Sequence, residues 1–295
     1  MKNVTVVGAG TMGNGIAHVF AMNDFKVTLV DINDVSIEKA LSTIAHNLDR
    51  LIQKEKITSE IKVNTLVNIQ ASTDLEKSAR EADIIIEAIS ESEALKSKLF
   101  KDLDRLAPDD CILASNTSSI SITKLGAITQ RPKEVIGMHF MNPVPIMKLV
   151  EVIRGYSTSA KTVERIITLS RSLGKIPVEV HDYPGFVSNR ILMPMINEAI
   201  FALFEGVAGV EQIDTVMKLG MAHPMGPLQL ADFIGLDVCL AILDVLHDGF
   251  RQPKYAACPL LVNMVSAGQL GKKSGVGFYD YSSRSKNLAV AKAFR

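Results

Sequence analysis

Three observations predict an α/β fold in which a mostly parallel sheet with a helical hairpin insertion is followed by an all-α C-terminal domain. Short β-branched runs alternate with longer stretches of helical period from Asn3 to about Val180. The alternation stops at Tyr183-Pro184-Gly185-Phe186, where turn residues cluster. Beyond that point apolar residues recur at helical spacing, with no further strong strand signal before the tail. A chain of 295 residues, 47% of them hydrophobic, is long enough to bury a core in each of two domains. The boundary is therefore placed between 183 and 184, giving domains 1–183 and 184–295.

The expected strands are Val4–Val7, Lys26–Val30, Ile69–Ala71, Asp83–Ala88, Ile112–Ala114 and Val135–Met138, with Leu149–Ile153 as a returning strand. Helices lie between them. The segment from Val35 to about Val67 is too long and too charged for a simple crossover. Ile37, Leu41, Ile44, Leu48, Leu51 and Ile52 follow one another at spacings suited to one helical face, predicting a helix to about Lys56 and a second one capped by Ser59. In the second domain Gly206, Gly209, Gly220, Pro224, Pro227 and Gly235 divide the chain into helices and loops, and Gly271–Tyr281 forms a Lys- and Gly-rich tail segment.

Composition narrows the partners. Thirty-two Lys and Arg balance 32 Asp and Glu, so no global field draws the chain to nucleic acid or an anionic membrane. Cys111, Cys239 and Cys258 are odd in number and widely separated, which is neither a disulfide framework nor a zinc-ligand spacing, and no metal site is expected. A reducing cytoplasmic setting fits that usage. The uncharged run Asn3–Asn23 is broken by Gly8, Gly10, Gly13, Gly15 and Asn14, too short in its apolar stretches for a signal peptide or a membrane span. The expectation is a chain with no transmembrane or cleaved segment.

The first strand runs into Gly8-Ala9-Gly10-Thr11-Met12-Gly13, which opens a helix. In this setting Gly8 makes the tight turn, Gly10 lets a pyrophosphate approach the backbone, and Gly13 packs helix on strand. The helix start then offers unpaired N–H groups and partial positive charge. The second strand ends at Asp31, whose carboxylate suits the adenosine ribose hydroxyls and repels a 2′-phosphate. Strand, glycine loop, helix and acidic residue in that order predict a Rossmann-type dinucleotide site that takes NAD.

Ser115-Asn116-Thr117-Ser118-Ser119 follows the strand Ile112–Ala114, at the end of a sheet where ligands bind. The strand Val135–Met138 delivers His139. If the chain reverses near Pro145, residues 139 and 151 fall opposite each other, with Cβ atoms ~4.5–5.5 Å apart. Oxidising a secondary alcohol by hydride loss requires a base at the hydroxyl proton. An imidazole, with an ordinary pKa of about 6.5, is suited to that task, and Glu151 would fix its tautomer and stabilise the imidazolium. No metal spacing is found among His18, His46, His181, His223 and His247.

Taken together, Val7-Gly8-Ala9-Gly10-Thr11-Met12-Gly13-Asn14-Gly15, Ser115–Ser119, His139-Phe140-Met141-Asn142-Pro143 with Pro145 and Glu151, Pro184–Arg190, and Gly271–Tyr279 resemble the L-3-hydroxyacyl-CoA dehydrogenase family over nearly the whole chain, most of all its short-chain bacterial members. The resemblance implies His139 as the base, Glu151 as its partner, and Ser118 and Asn189 at the substrate oxygen. It implies dinucleotide contacts at Asp31, Glu91, Lys96, Ser118, Asn142 and Lys273 beside the glycine loop, and CoA contacts at Lys54 and Ser118. It also implies an acyl-CoA substrate and a homodimer formed through the helical domain. Met141 stands where the family usually has Phe, an apolar exchange that softens local packing. Two alternatives stay open on the residues alone: a dehydrogenase of a free hydroxy acid or sugar acid of the L-gulonate type, and a non-catalytic dinucleotide-binding protein.

Overall fold

The computed structural model describes residues 1–283 and 288–295. Two compact units emerge, Met1–Tyr183 and Pro184–Arg295. The first carries an eight-stranded sheet. In chain order its elements are β1 (Asn3–Val7), α1 (Thr11–Met22), β2 (Lys26–Val30), α2 (Asp34–Gln53), α3 (Ser59–Val67), β3 (Ile69–Ser72), α4 (Leu75–Arg80), β4 (Ile84–Glu87), α5 (Glu93–Leu106), β5 (Ile112–Ser115), α6 (Ile122–Ala127), β6 (Val135–Phe140), β7 (Leu149–Arg154), α7 (Ala160–Ser172) and β8 (Ile176–His181).

The strand order β3-β2-β1-β4-β5-β6-β7-β8 puts β1 and β4 side by side at the point where the winding reverses. β6 and β7 pair antiparallel, and every other neighbouring pair in this sheet is parallel. Central strands are covered on both faces, which is why β4 reads Ile-Ile-Ile-Glu with all four residues buried. Removing each of those isoleucines from water contributes about 1.5–3 kcal/mol.

The hairpin forms as expected, with two changes at its turn. α2 buries Ile37, Ala40, Ile44 and Leu48 on one stripe and stops at Gln53 rather than Lys56, because Glu55 takes a left-handed conformation at φ 54° and turns the chain out. α3 begins at Ser59, but its cap is Thr58, whose hydroxyl accepts from Ile61 N–H. One strand lacks a sequence signal. β8 carries Pro177 and exposes Ile176 and Val178, since it is an edge strand with only β7 beside it.

The second unit contains α8 (Ser188–Phe204), α9 (Val210–Gly220), α10 (Pro227–Ile234), α11 (Leu236–Phe250) and α12 (Pro259–Ser266), packed on a core that includes Ile196, Leu228, Leu243 and Phe278. Its tail adds a short antiparallel pair, β9 (Tyr279–Asp280) with β10 (Ala289–Val290). Buried Asp232 accepts from Phe278 N–H at 3.0 Å and Tyr279 N–H at 2.9 Å, fastening that tail to α10. Among the described residues no helix is long and apolar enough to cross a membrane.

Candidate active site

A cavity of about 900 Å³ opens at the carboxyl ends of the first strands, and all its lining residues belong to the first unit. Its floor is the glycine loop. Gly8 sits at φ 105°, and a Cβ there would lie 2.6 Å from Ala88 O. A Cβ on Gly13 would lie 1.7 Å from Gly8 O, so helix and turn touch only because that side chain is missing. Gly10 differs, since a Cβ there meets nothing within 4 Å and would project into space that a ligand backbone can use. The start of α1, with Thr11 on the cavity wall, faces the same space. Met12 turns instead toward the apolar core. These features fit a dinucleotide pyrophosphate.

Asp31 stands on the cavity wall just past β2. Its Oδ2 accepts from Ala9 N–H at 2.7 Å and its Oδ1 from Ile32 N–H at 2.8 Å, so the loop itself aims the carboxylate. Ile32, 94% exposed, offers an apolar surface beside it. Ser36, Lys39, Thr43 and Asn47 line the same cavity from α2. Their spacing of three and four residues places polar groups on one helical face next to the glycine loop, a signal masked by the apolar stripe of the same helix. Lys54, expected at the CoA moiety, caps the end of α2 and is exposed, seven residues beyond Asn47 and outside the lining of this cavity.

At the ends of β4 and β5 the site is built on buried charge. Glu87, wholly buried, receives Lys96 Nζ at 2.5 Å and Ile89 N–H at 2.8 Å on one oxygen and Ser115 Oγ at 2.6 Å on the other. Lys96 also reaches Glu91 at 3.2 Å and Ile89 O at 3.3 Å. Those three acceptors match the three protons of the ammonium, and Lys96 is 1% exposed. Lys96, for which a dinucleotide contact was expected, is thus buried and is not among the residues that line the cavity.

Glu91 Oε1 in turn accepts from Thr117 Oγ1 at 2.5 Å, Ser118 N–H at 2.9 Å and Ser119 N–H at 3.2 Å, which fixes the loop bearing Ser118. Burial pushes the Glu91 carboxyl up, but the Lys96 ammonium and the Thr117 and Ser118 donors together outweigh it and hold the group below the usual carboxylate range.

His139 and Glu151 face each other across β6 and β7 as directly paired residues. His139 Nδ1 lies 2.9 Å from Glu151 Oε2, both side chains being buried. A carboxylate accepts only, so Nδ1 carries the proton and Nε2 is the basic nitrogen of the neutral ring. The Asn116 carboxamide oxygen accepts from Phe140 N–H at 2.9 Å, tying the end of β5 to the residue after His139. In the sequence Asn116 is indistinguishable from the polar residues on either side of it. Asn142, Pro143, Val144 and Pro145 complete the cavity wall opposite the glycine loop.

In the second unit Asn189 is buried in the first turn of α8. Lys273 lies in the tail turn Lys272–Ser274 and pairs with Asp237 at 2.5 Å. Among the described residues no group of His, Cys, Asp and Glu is arranged to hold a metal ion.

Comparison with known proteins matches two family profiles in sequence order. The 3-hydroxyacyl-CoA dehydrogenase NAD binding domain covers residues 3–183, and the 3-hydroxyacyl-CoA dehydrogenase C-terminal domain covers residues 185–281. The chain is 56% identical over 286 residues to a probable 3-hydroxybutyryl-CoA dehydrogenase of Bacillus subtilis, covering 97% of this chain and 99% of that one. It is 51% identical over 281 residues to a 3-hydroxybutyryl-CoA dehydrogenase of Bradyrhizobium diazoefficiens, covering 95% and 96%. The crystal structure of the (S)-3-hydroxybutyryl-CoA dehydrogenase of Ralstonia eutropha superposes with a TM-score of 0.93 at 52% identity, covering 96% of this chain and all of that one.

Proposed function

The chain belongs to the 3-hydroxyacyl-CoA dehydrogenase family, NAD-dependent oxidoreductases, and from that premise we propose that it interconverts a short-chain L-3-hydroxyacyl-CoA, 3-hydroxybutyryl-CoA first of all, and its 3-ketoacyl-CoA. The observation that carries the mechanism is the 2.9 Å contact between His139 Nδ1 and Glu151 Oε2. Bound NAD supplies the hydride acceptor. His139 takes the hydroxyl proton at Nε2 as the C3–H bond breaks, and Glu151 keeps Nδ1 protonated and stabilises the imidazolium that results. In the ketone-reducing direction His139 returns the proton to the same oxygen.

Ser118, positioned by Glu91, holds the substrate oxygen. Cofactor contacts fall to Gly8, Gly10, Thr11, Gly13, Asp31, Glu91 and Asn142, with Met12 able to offer only its backbone amide. Lys96 serves this surface by fixing Glu91. The polar face of α2 and Lys54 beyond it receive the CoA moiety. The helical unit is assigned the contact of a homodimer, and the chain a cytoplasmic setting.

The test follows NADH formation by its absorbance with 3-hydroxybutyryl-CoA beside free 3-hydroxybutyrate and L-gulonate. Turnover confined to the thioester supports the proposal. Faster turnover of either free acid would replace the substrate, and NADH binding without turnover on any acyl-CoA would replace the enzyme by a binding protein.

A further inference from the structure

One buried cation belongs to none of the groups assigned above. Lys175, between α7 and β8, is 8% exposed, and its Nζ donates to the carbonyl oxygens of Val144 at 2.5 Å and Met147 at 2.8 Å. Among the described residues Lys175 makes no ion pair. Burial holds its ammonium below the usual lysine range, and its charge also helps keep the buried ring of His18 neutral. An ammonium withdrawn from water without a counter-charge is costly, so carbonyl dipoles must offset the loss.

Both carbonyls lie in the segment that joins β6 to β7. Asn142, Pro143, Val144 and Pro145 of that segment wall the cavity. From the other side Val144 is pressed on α1, where a Cβ on Gly15 would come within 2.9 Å of Val144 Cβ. The segment is therefore wedged between the helix that follows the glycine loop and a cation carried on the turn between α7 and β8. His139 and Glu151, by contrast, are placed by strand register and do not depend on this wedge.

We propose that Lys175 is a positioning residue that holds the β6–β7 segment in place as one wall of the cofactor cavity and so sets the affinity for NAD. The proposal rests on the reading of this cavity as the dinucleotide site. Lys175→Met removes the donors at similar length, Lys175→Arg keeps a cationic donor, and Val180→Ala loosens the neighbouring strand β8 away from the segment. NADH binding is followed by fluorescence titration and stability by thermal melting, with kcat and KM for NAD measured alongside.

Lys175→Met is expected to weaken NADH binding and raise KM for NAD about tenfold, with kcat at saturating NAD within about twofold of wild type. Lys175→Arg should recover most of that affinity. Val180→Ala should lower the melting temperature without moving NADH affinity. Wild-type affinity in Lys175→Met, or an equal loss in Val180→Ala, overturns the proposal while leaving the cavity reading intact. A wild type that binds no NADH overturns both. Should Lys175→Met fail to fold, Lys175→Gln carries the same measurement and the same overturning result.

Discussion

The two halves of the sheet around the cavity are made from opposite materials. Around β1, α1 and β2 the site is backbone: three glycines, the amide-rich start of a helix, and one carboxylate that loop amides hold in place. Around β4 to β7 it is buried side chains, with Glu87, Lys96 and Ser115 linked beneath Glu91 and the serine loop, and His139 against Glu151 beside them. A dinucleotide needs shape and dipoles, which backbone supplies without titration. Proton transfer needs one nitrogen at one place, which only a fixed side chain supplies. Damage to the first half should therefore appear in affinity, and damage to the His139–Glu151 pair of the second in rate.

The largest effect should come from His139→Ala. Loss of the general base is expected to lower kcat about 10³-fold while NADH binds within twofold of wild type. Fluorescence titration of NADH beside initial rates separates the two quantities, and parallel loss of both would erase the division between the halves. Glu151→Gln is expected to cost about 10²-fold in kcat, because the amide oxygen can still accept from Nδ1 but no longer carries the charge that stabilises the imidazolium. Unchanged kinetics would remove Glu151 from the mechanism. On the other side of the cavity, Asp31→Ala should weaken NADH binding about tenfold through the lost ribose hydrogen bonds, with kcat at saturation retained and discrimination against NADP reduced. A fall in kcat with affinity intact would mean that the backbone half also governs rate.

The same contrast explains what could be read in advance. The glycine loop and Asp31 are local, since a turn without side chains and an acid at the next strand end leave their mark in neighbouring positions. The His139–Glu151 pair is distant in sequence yet predictable, because a hairpin about Pro145 needs only that strands pair residue by residue. Lys96 and Glu87 gave no such signal. Each is an ordinary charged residue in its own helix or strand, and only the tertiary fold brings α5 and the end of β4 together to bury them as a pair. Lys175 was equally silent, because its partners are carbonyl oxygens, which no side-chain pattern encodes. The strand that follows it was hidden by Pro177, which an edge strand tolerates and a central one does not.

The smallest effect on activity, and the one that probes the backbone half from beneath, concerns His18 on the buried face of α1. Its ring is fully buried, and among the described residues neither nitrogen has a hydrogen-bond partner. Burial first, and the Lys175 charge second, lower its pKa from 6.5 to about 4. Because the folded value lies below the unfolded one, the unfolded chain binds the proton first as pH falls. Stability is therefore whole above about pH 6.5 and declines toward pH 4, where the native ring also protonates. By pH 5 the loss amounts to about 2 kcal/mol. Asp232 in the helical unit acts in the opposite sense, since burial raises its carboxyl to about 6 and lets the folded form take up a proton first. The net acid profile of the wild type conceals both, so the informative quantity is a difference between proteins. His18→Leu should leave rates at pH 7.5 within about twofold and raise the denaturant midpoint of the first unit relative to wild type as pH falls from 7 to 5. A difference that stays constant with pH would show that His18 does not titrate on unfolding, and that α1 rests on its apolar contacts alone.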